Sequence, residues 1–107
     1  MATFVHDGEA IDYTATADVA AGAVVVQGEL LGVTKQPIAA NKPGALAVAG
    51  VFDFPKATGS DITAGALCYW DATNQRATTT ATGNKLIGKC VKAAADADTT
   101  VRVRMSQ

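Results

Sequence analysis

Short runs rich in Val, Thr, Tyr and Phe alternate along the chain with short stretches of Gly, Asn, Asp and Pro. Runs of this kind, bounded by turn-forming residues, are typical of β-strands. No long window keeps the apolar spacing of an amphipathic helix. The pattern therefore predicts an all-β fold with little or no helix, and the predicted strands are Ala10–Thr14, Ala23–Gln27, Leu30–Lys35, Ala45–Phe52, Leu67–Asp71, Arg76–Thr80, Lys85–Ala93 and Thr100–Met105.

The pattern also predicts where the chain turns and which face of the last strand is buried. The clearest hairpin joins Leu67–Asp71 to Arg76–Thr80, because β-branched or aromatic residues fill both arms and a polar turn connects them. In the last strand, Val101, Val103 and Met105 alternate with Arg102 and Arg104, which predicts one packed face and one face toward solvent or a partner. The stretches Gln36–Gly44 and Ala93–Asp98 are predicted to be loops.

The chain contains an internal near-repeat. An Asp followed four residues later by a Gly opens two similar segments, and two shorter matches follow in each half. We predict two related halves that contribute similar strands to one closed or nearly closed sheet, a small β-barrel or β-clip-like fold. The alternative is chance similarity, since Ala, Gly and Val are common residues. The matched segments are Asp18–Val26 with Asp61–Tyr69, Leu30–Gly32 with Leu86–Gly88, and Leu46–Val48 with Val101–Val103.

The composition narrows the class of protein. A chain of 107 residues fits a single domain, predicted to span residues 1–107. Much of its apolar content is Ala and it has only six aromatic residues, so its core is expected to be thin. Proteins that bury little large apolar surface often gain stability from oligomerisation or from a partner. An assembly role is the first functional hint.

Charge and cysteine content exclude several other classes. A formal net charge of −1 argues against a general binder of nucleic acid or anionic membranes. The N-terminal residues lack a basic stretch followed by an apolar one, so we expect the chain to be made and kept in the cytoplasm without a membrane partner. Cys68 and Cys90 are too far apart for a zinc or redox spacing, and two buried free thiols are favoured over a disulfide.

No residue pattern supports an enzyme or a cofactor site. Gly83–Cys90 has the spacing of a phosphate-binding loop, but Cys90 replaces the hydroxyl that would bind magnesium, and strand-like residues occupy the place of the helix. His6 is the single histidine, so neither a zinc site nor a catalytic arrangement with a second histidine can be built. We expect a protein without catalytic residues, metal or cofactor.

Three surface candidates remain open. Arg102 and Arg104 could form a basic stripe together with nearby lysines, although a solvated sheet face explains them equally simply. Trp70 is either a core residue or an exposed anchor at an interface. These alternatives leave a β-barrel module that binds nucleic acid or another protein during assembly as the second functional hypothesis. The lysines concerned are Lys85, Lys89 and Lys92.

Several segments, taken together in order and spacing, resemble small tailed-phage head proteins described as capsid decoration or cement proteins. The resemblance covers nearly the whole chain. Some relatives in that family carry a recombinase-related label, for which this sequence offers no sound nucleotide site. The segments that carry the resemblance are Ile11–Thr14, Gly44–Lys56, Tyr69–Asp71, Leu86–Gly88 and Thr99–Arg104.

The resemblance implies a structural virion protein that binds the outside of an expanded capsid and stabilises it. Its implied partners are the major capsid protein and further copies of itself, with a trimer favoured and no specific nucleic acid. We expect a flexible N-terminal arm of about nine residues that orders on the capsid as an added strand. The expected capsid contacts are Thr3, Phe4, Val5 and His6, and the expected oligomer contacts are Trp70, Arg102 and Arg104.

Overall fold

The structure, a computed structural model, describes residues 2–3 and 8–106. In this part of the chain all regular elements are strands, and no helix is present that could span a membrane. The all-β class predicted from the pattern of short runs is therefore confirmed. The strands are β1 (Ala10–Thr14), β2 (Val24–Gln27), β3 (Leu30–Thr34), β4 (Pro43–Ala47), β5 (Gly50–Pro55), β6 (Leu67–Asp71), β7 (Arg76–Thr78), β8 (Lys85–Lys92) and β9 (Thr100–Met105).

The described residues divide into two compact units. The first contains the residues up to Val25 together with Gly32–Ala49, and the second contains Val26–Leu31 and the residues from Gly50 onward. Residues 26–31, the tip of the β2–β3 hairpin, thus group with the second unit. The prediction of a single domain over 1–107 stays a prediction.

The first unit is built on a four-stranded sheet in the order β1-β4-β3-β2. β1 runs antiparallel to β4, with Ala10 opposite Ala47 and Thr14 opposite Pro43. Thr34 on β3 is fully buried, and its Oγ1 donates to Ala20 O at 2.7 Å and accepts from Ala23 N at 3.0 Å. This hydroxyl satisfies two backbone groups of the turn before β2, which would otherwise be costly to bury.

The second unit is built on a five-stranded sheet in the order β5-β9-β8-β6-β7. Its inner face carries the larger core, with Phe54 and Trp70 in a tilted ring contact at 6.1 Å between centroids. Tilted aromatic pairs of this kind add stabilisation beyond the area they bury. The buried apolar residues of this unit also include Leu31, Ile62, Cys68, Ala77, Ile87, Cys90, Ala94, Val101, Val103 and Met105.

The five-stranded sheet curls until its two edges nearly meet. A single parallel bridge joins Lys56, directly after β5, to Ala77 on β7. Lys56 is 5% exposed, and its Nζ donates to Ala57 O at 2.8 Å and to Asp98 O at 3.3 Å. These carbonyls supply the polar partners that a buried ammonium group requires. The five-stranded sheet is therefore barrel-like, but one bridge takes the place of the complete ladder that would close a barrel.

Backbone hydrogen bonds confirm the internal repeat. Val19 and Ile38 exchange two hydrogen bonds at 2.8 Å, and Ile62 and Ala94 exchange two at 2.9 Å. Each bridge precedes a turn whose glycine has a positive φ, 80° at Gly22. The two halves therefore begin in the same way, with an isolated bridge followed by a tight turn that leads into a strand.

The correspondence continues into the strands. Gly22 N donates to Thr34 O and Thr34 N to Ala23 O, as Gly65 N donates to Cys90 O and Cys90 N to Ala66 O. The order β1-β4-β3-β2 matches β5-β9-β8-β6 strand for strand, and β7 is the addition at the edge. β7 pairs antiparallel with β6, so the predicted hairpin between Leu67–Asp71 and Arg76–Thr80 is confirmed.

Three details of the sequence prediction are corrected. The two halves form separate four-stranded and five-stranded sheets, not one closed or nearly closed sheet. Leu46 lies opposite Thr34 and Val103 opposite Cys90, so the last pair of matched segments is displaced by two residues from its predicted alignment. The run Ala45–Phe52, predicted as one strand, is divided between β4 and β5. Gly50 has a φ of 120°, a conformation that side-chain-bearing residues rarely adopt, and it begins the second half.

Glycine is required at one position of each half because two strands approach closely. A Cβ at Gly88 on β8 would collide with the carbonyl oxygen of Arg104 on β9, and one at Gly32 on β3 would lie 2.9 Å from Leu46 Cβ on β4. The clash at Gly88 involves backbone, which cannot rotate away. The predicted equivalence of Gly32 and Gly88 in the two halves thus has a steric cause.

Gly88→Ala is expected to lower the free energy of unfolding by about 3 kcal/mol or more, because β8 and β9 must separate to admit the methyl group. The matched control is Lys89→Ala, the exposed neighbour on the same strand, for which the change should stay within about 0.5 kcal/mol. Chemical denaturation of both variants and the wild type measures the difference. Equal midpoints for the three proteins would contradict the steric role of Gly88.

Candidate functional site

The segment with phosphate-loop spacing is part of a sheet. Gly83 lies in a turn, and Lys85–Lys92 forms β8, which pairs with β6 and β9. The Nζ of Lys85 is 2.7 Å from Glu29 Oε1. The interpretation of this segment as a strand after a turn is therefore confirmed, and its backbone amides are used in strand pairing rather than arranged around an anion.

Cys68 and Cys90 are free, buried thiols of the second unit. Cys90 Sγ is 3.0 Å from Lys92 O, and Cys68 Sγ is 3.9 Å from Ala66 O. Burial, and to a smaller degree the neighbouring Cys90, raise the pKa of Cys68 to about 11. Since the thiolate is the reactive form, Cys68 is held in its inert state. The favoured interpretation of these cysteines as core residues is confirmed.

The expected capsid contacts lie near the N-terminus. Thr3 is exposed and outside any strand, whereas Phe4, Val5 and His6 fall outside the described residues. Trp70, the first of the expected oligomer contacts, is only 3% exposed and packs against Phe54. The core alternative for Trp70 is thus confirmed, and its ring offers almost no surface to a partner.

Arg102 and Arg104 project from the outer face of β9. Arg102 forms a fork with Asp53 on β5, with Nε–Oδ1 at 3.0 Å and Nη2–Oδ2 at 3.2 Å. The hydrogen bond from Arg102 lowers the pKa of Asp53, and the same bond raises the pKa of Arg102. Both side chains are half exposed, so this ion pair orients Arg102 more than it stabilises the fold.

Arg104 belongs to a line of four exposed side chains that crosses the sheet. Val51 on β5 lies opposite Arg104, Arg104 lies opposite Lys89 on β8, and Lys89 lies opposite Leu67 on β6. We call these four residues the outer row. In the described residues neither Arg104 nor Lys89 has a carboxylate within salt-bridge distance. The outer row therefore presents two unpaired cations between two apolar side chains.

Beside the outer row the face is also partly apolar. Val91 lies next to Leu67, Lys89 and Arg104 around a shallow depression. Val51, Leu67 and Val91 are 54%, 47% and 45% exposed. The outer face therefore exposes three branched apolar side chains beside its two unpaired cations.

The comparison with known families decides what kind of protein carries this surface. Residues 5–105 match the family described as phage cement protein. The chain belongs to the phage cement proteins. No curated protein and no solved structure matches it significantly. The resemblance to capsid decoration proteins, recognised in the sequence, is thus confirmed, and a structural role at the phage capsid follows.

Membership of the cement family gives the outer row its significance, because such a protein must hold on to a shell. Alternation with valine predicts that Arg102 and Arg104 face outward, whereas no pattern in the sequence assigns a role to Val51, Leu67 and Val91. Each lies in a predicted strand. Their common exposure depends on the register of four strands and on a bulge in β8 between Cys90 and Lys92, which a strand prediction does not contain.

The pKa of Cys68 predicts how stability depends on pH. The folded pKa lies above that of an unfolded thiol, so folding favours the protonated form. The contribution is complete below the unfolded pKa and is lost as the pH rises from about 9 toward 11. We expect the wild type to lose more stability over this interval than Cys68→Ala, measured by denaturation at each pH. Parallel losses in both proteins would contradict the assignment.

Proposed function

We propose that this cement protein decorates the outer surface of a tailed-phage or prophage capsid and stabilises the shell by binding its major capsid protein. The observation that carries the proposal is the family match over residues 5–105, which leaves only the ends of the chain outside it. The virion surface is the proposed location, after synthesis in the host cytoplasm. The chain acts there as a homo-oligomer, with a trimer favoured.

The physical character of the chain supports a binding role. The edge strands of the first unit's sheet, β1 and β2, have five and four residues, and short edge strands resist uncontrolled pairing with other chains. The thiols are buried and the segment with phosphate-loop spacing is a strand. What the surface offers is shape, charge and apolar contact, which is what a stabilising subunit needs.

The proposal is tested with expanded heads of the phage or prophage that encodes the chain, prepared without this protein. Added protein should co-sediment with the heads to saturation, and the decorated heads should release their DNA at a higher temperature than bare heads. Stabilisation follows because a ligand that binds only the intact shell shifts the equilibrium toward it. Unexpanded heads serve as the control. Absence of co-sedimentation with expanded heads contradicts the proposal.

The N-terminal arm is proposed to add a strand to the capsid. Deletion of residues 2–8 should weaken head binding, because main-chain hydrogen bonds and alternating side chains supply the affinity in strand addition. A second variant, in which residues 2–8 are replaced by Gly and Ser of equal length, separates the length of the arm from its side chains. Binding isotherms from co-sedimentation measure the effect. Unchanged binding of the deletion variant would rule out the arm.

A further inference from the structure

Positive charge is concentrated on the outer face of β5, β9 and β8. In the described part of this face, the outer row contributes two cations, and the adjacent line contributes Arg102 and Lys92 with Asp53 as its one carboxylate. Four cations and one carboxylate leave three net positive charges, and Asp98, which lines a depression with Asp53, Lys92 and Arg102, reduces them to two. The whole chain has a formal charge of −1. The charge of this face is therefore opposite in sign to that of the chain.

Apolar exposure is concentrated on the same face. Among the described residues, four large apolar side chains are exposed, and three of them are Val51, Leu67 and Val91. Val51 and Leu67 end the outer row on its two sides, with the unpaired cations between them. Apolar groups exclude water from a contact, and charges within it become more effective when water is excluded.

We infer that the outer row and Val91 form the docking surface for an acidic patch with apolar borders on the major capsid protein, an inference that rests on the proposed function. The sign of the face requires a partner with carboxylates opposite Lys89 and Arg104. The three exposed aliphatic side chains require apolar surface at the borders of that patch. The partner surface is thus defined by its negative charge and by the apolar groups at its borders.

Two other occupants fit the face less well. Nucleic acid would gain little from Val51, Leu67 and Val91, since phosphate binding uses cations and single strands stack on aromatic rings. A second copy bound through the same face by two-fold symmetry would bring Lys89 and Arg104 toward their own counterparts, which is repulsive. In a trimer the face would meet a different surface of the next copy, and the oligomer mass of the charge-reversed variant tests that arrangement. An acidic capsid surface avoids both difficulties.

The test reverses the unpaired charges of the outer row. Lys89→Glu/Arg104→Glu should weaken binding to expanded heads by about 100-fold or more, because like charges would then face each other. The matched control is Lys35→Glu/Lys42→Glu, which makes the same change in net charge on exposed residues of the first unit. The control should bind within about threefold of the wild type, as expected for charges outside a contact.

The apolar part of the surface is tested separately. Leu67→Ser should weaken binding by about tenfold, because it removes aliphatic surface from the contact without changing the charge. Lys89→Ser/Arg104→Ser, which neutralises the row without reversing it, should reduce both the affinity and its dependence on salt. Thermal unfolding of each free variant verifies that the fold is kept. If the reversed variant unfolds, the neutral variant provides the binding result.

The outcomes separate the inference from the function on which it rests. If the wild type fails to bind heads, the proposed function fails and the inference with it. If the wild type binds and the reversed variant binds equally, the function stands and the docking surface is wrong. Loss of oligomer mass in the reversed variant would assign the face to contacts between copies. Salt-dependent binding of duplex DNA that the reversal abolishes would assign it to nucleic acid. Either of the last two results overturns the inference.

Discussion

The antiparallel pairing of β3 with β4, and the equivalent pairing of β8 with β9, is the constraint on which the rest of the structure depends. β3 pairs with β4 and β8 with β9, and glycine is present where these strands approach most closely. The bridge Val19–Ile38 connects the segment before β2 to the segment after β3, and the bridge Ile62–Ala94 connects the segment before β6 to the segment after β8. The same few backbone hydrogen bonds therefore define each half, whatever side chains fill its core.

The two units use this common frame with unequal cores. The second unit buries Phe54 and Trp70 together with several branched residues, whereas the first unit buries mainly small and aliphatic side chains. A buried hydroxyl at Thr34 occupies the position that Cys90 occupies in the second unit. Small cores leave modest stability, and a protein of this kind gains further stability when a partner covers its exposed surface. The proposed attachment to a shell would supply stability that such small cores do not provide.

The bounds of the strands could be predicted from the sequence more accurately than the register in which the strands pair. β1, β6 and β9 were predicted with their observed bounds, because alternating or β-branched runs end there at clear turn residues. The break at Gly50 was missed because Ala45–Phe52 is continuously apolar or small, and only its backbone conformation divides it. The last repeat pair was misaligned by two residues, since Leu and Val recur too often for two short segments to fix a register.

The candidate surface could likewise be predicted only in part from the sequence. Alternation identified Arg102 and Arg104 as outward-facing, and the structure adds the residues that lie beside them on β5, β8 and β6. Neighbours across a sheet are distant along the chain, so no local pattern connects Val51 with Leu67. Trp70 is buried in the sheet that curls to bring β7 toward Lys56. Its position in the sequence, next to Asp71, does not predict this burial because the curling depends on contacts between distant strands.

The extra strand β7 has a practical consequence for engineering. The first half forms its sheet without an equivalent of β7, so the strand order common to both halves does not require this hairpin. Its tip, residues 72–75, is exposed, and Asp71 caps it through hydrogen bonds from Thr73 N, Asn74 N and Asn74 Nδ2. Exposed hairpin tips tolerate inserted sequence. A foreign peptide introduced there would be displayed at a sheet edge, away from the strand pairs that the two halves share.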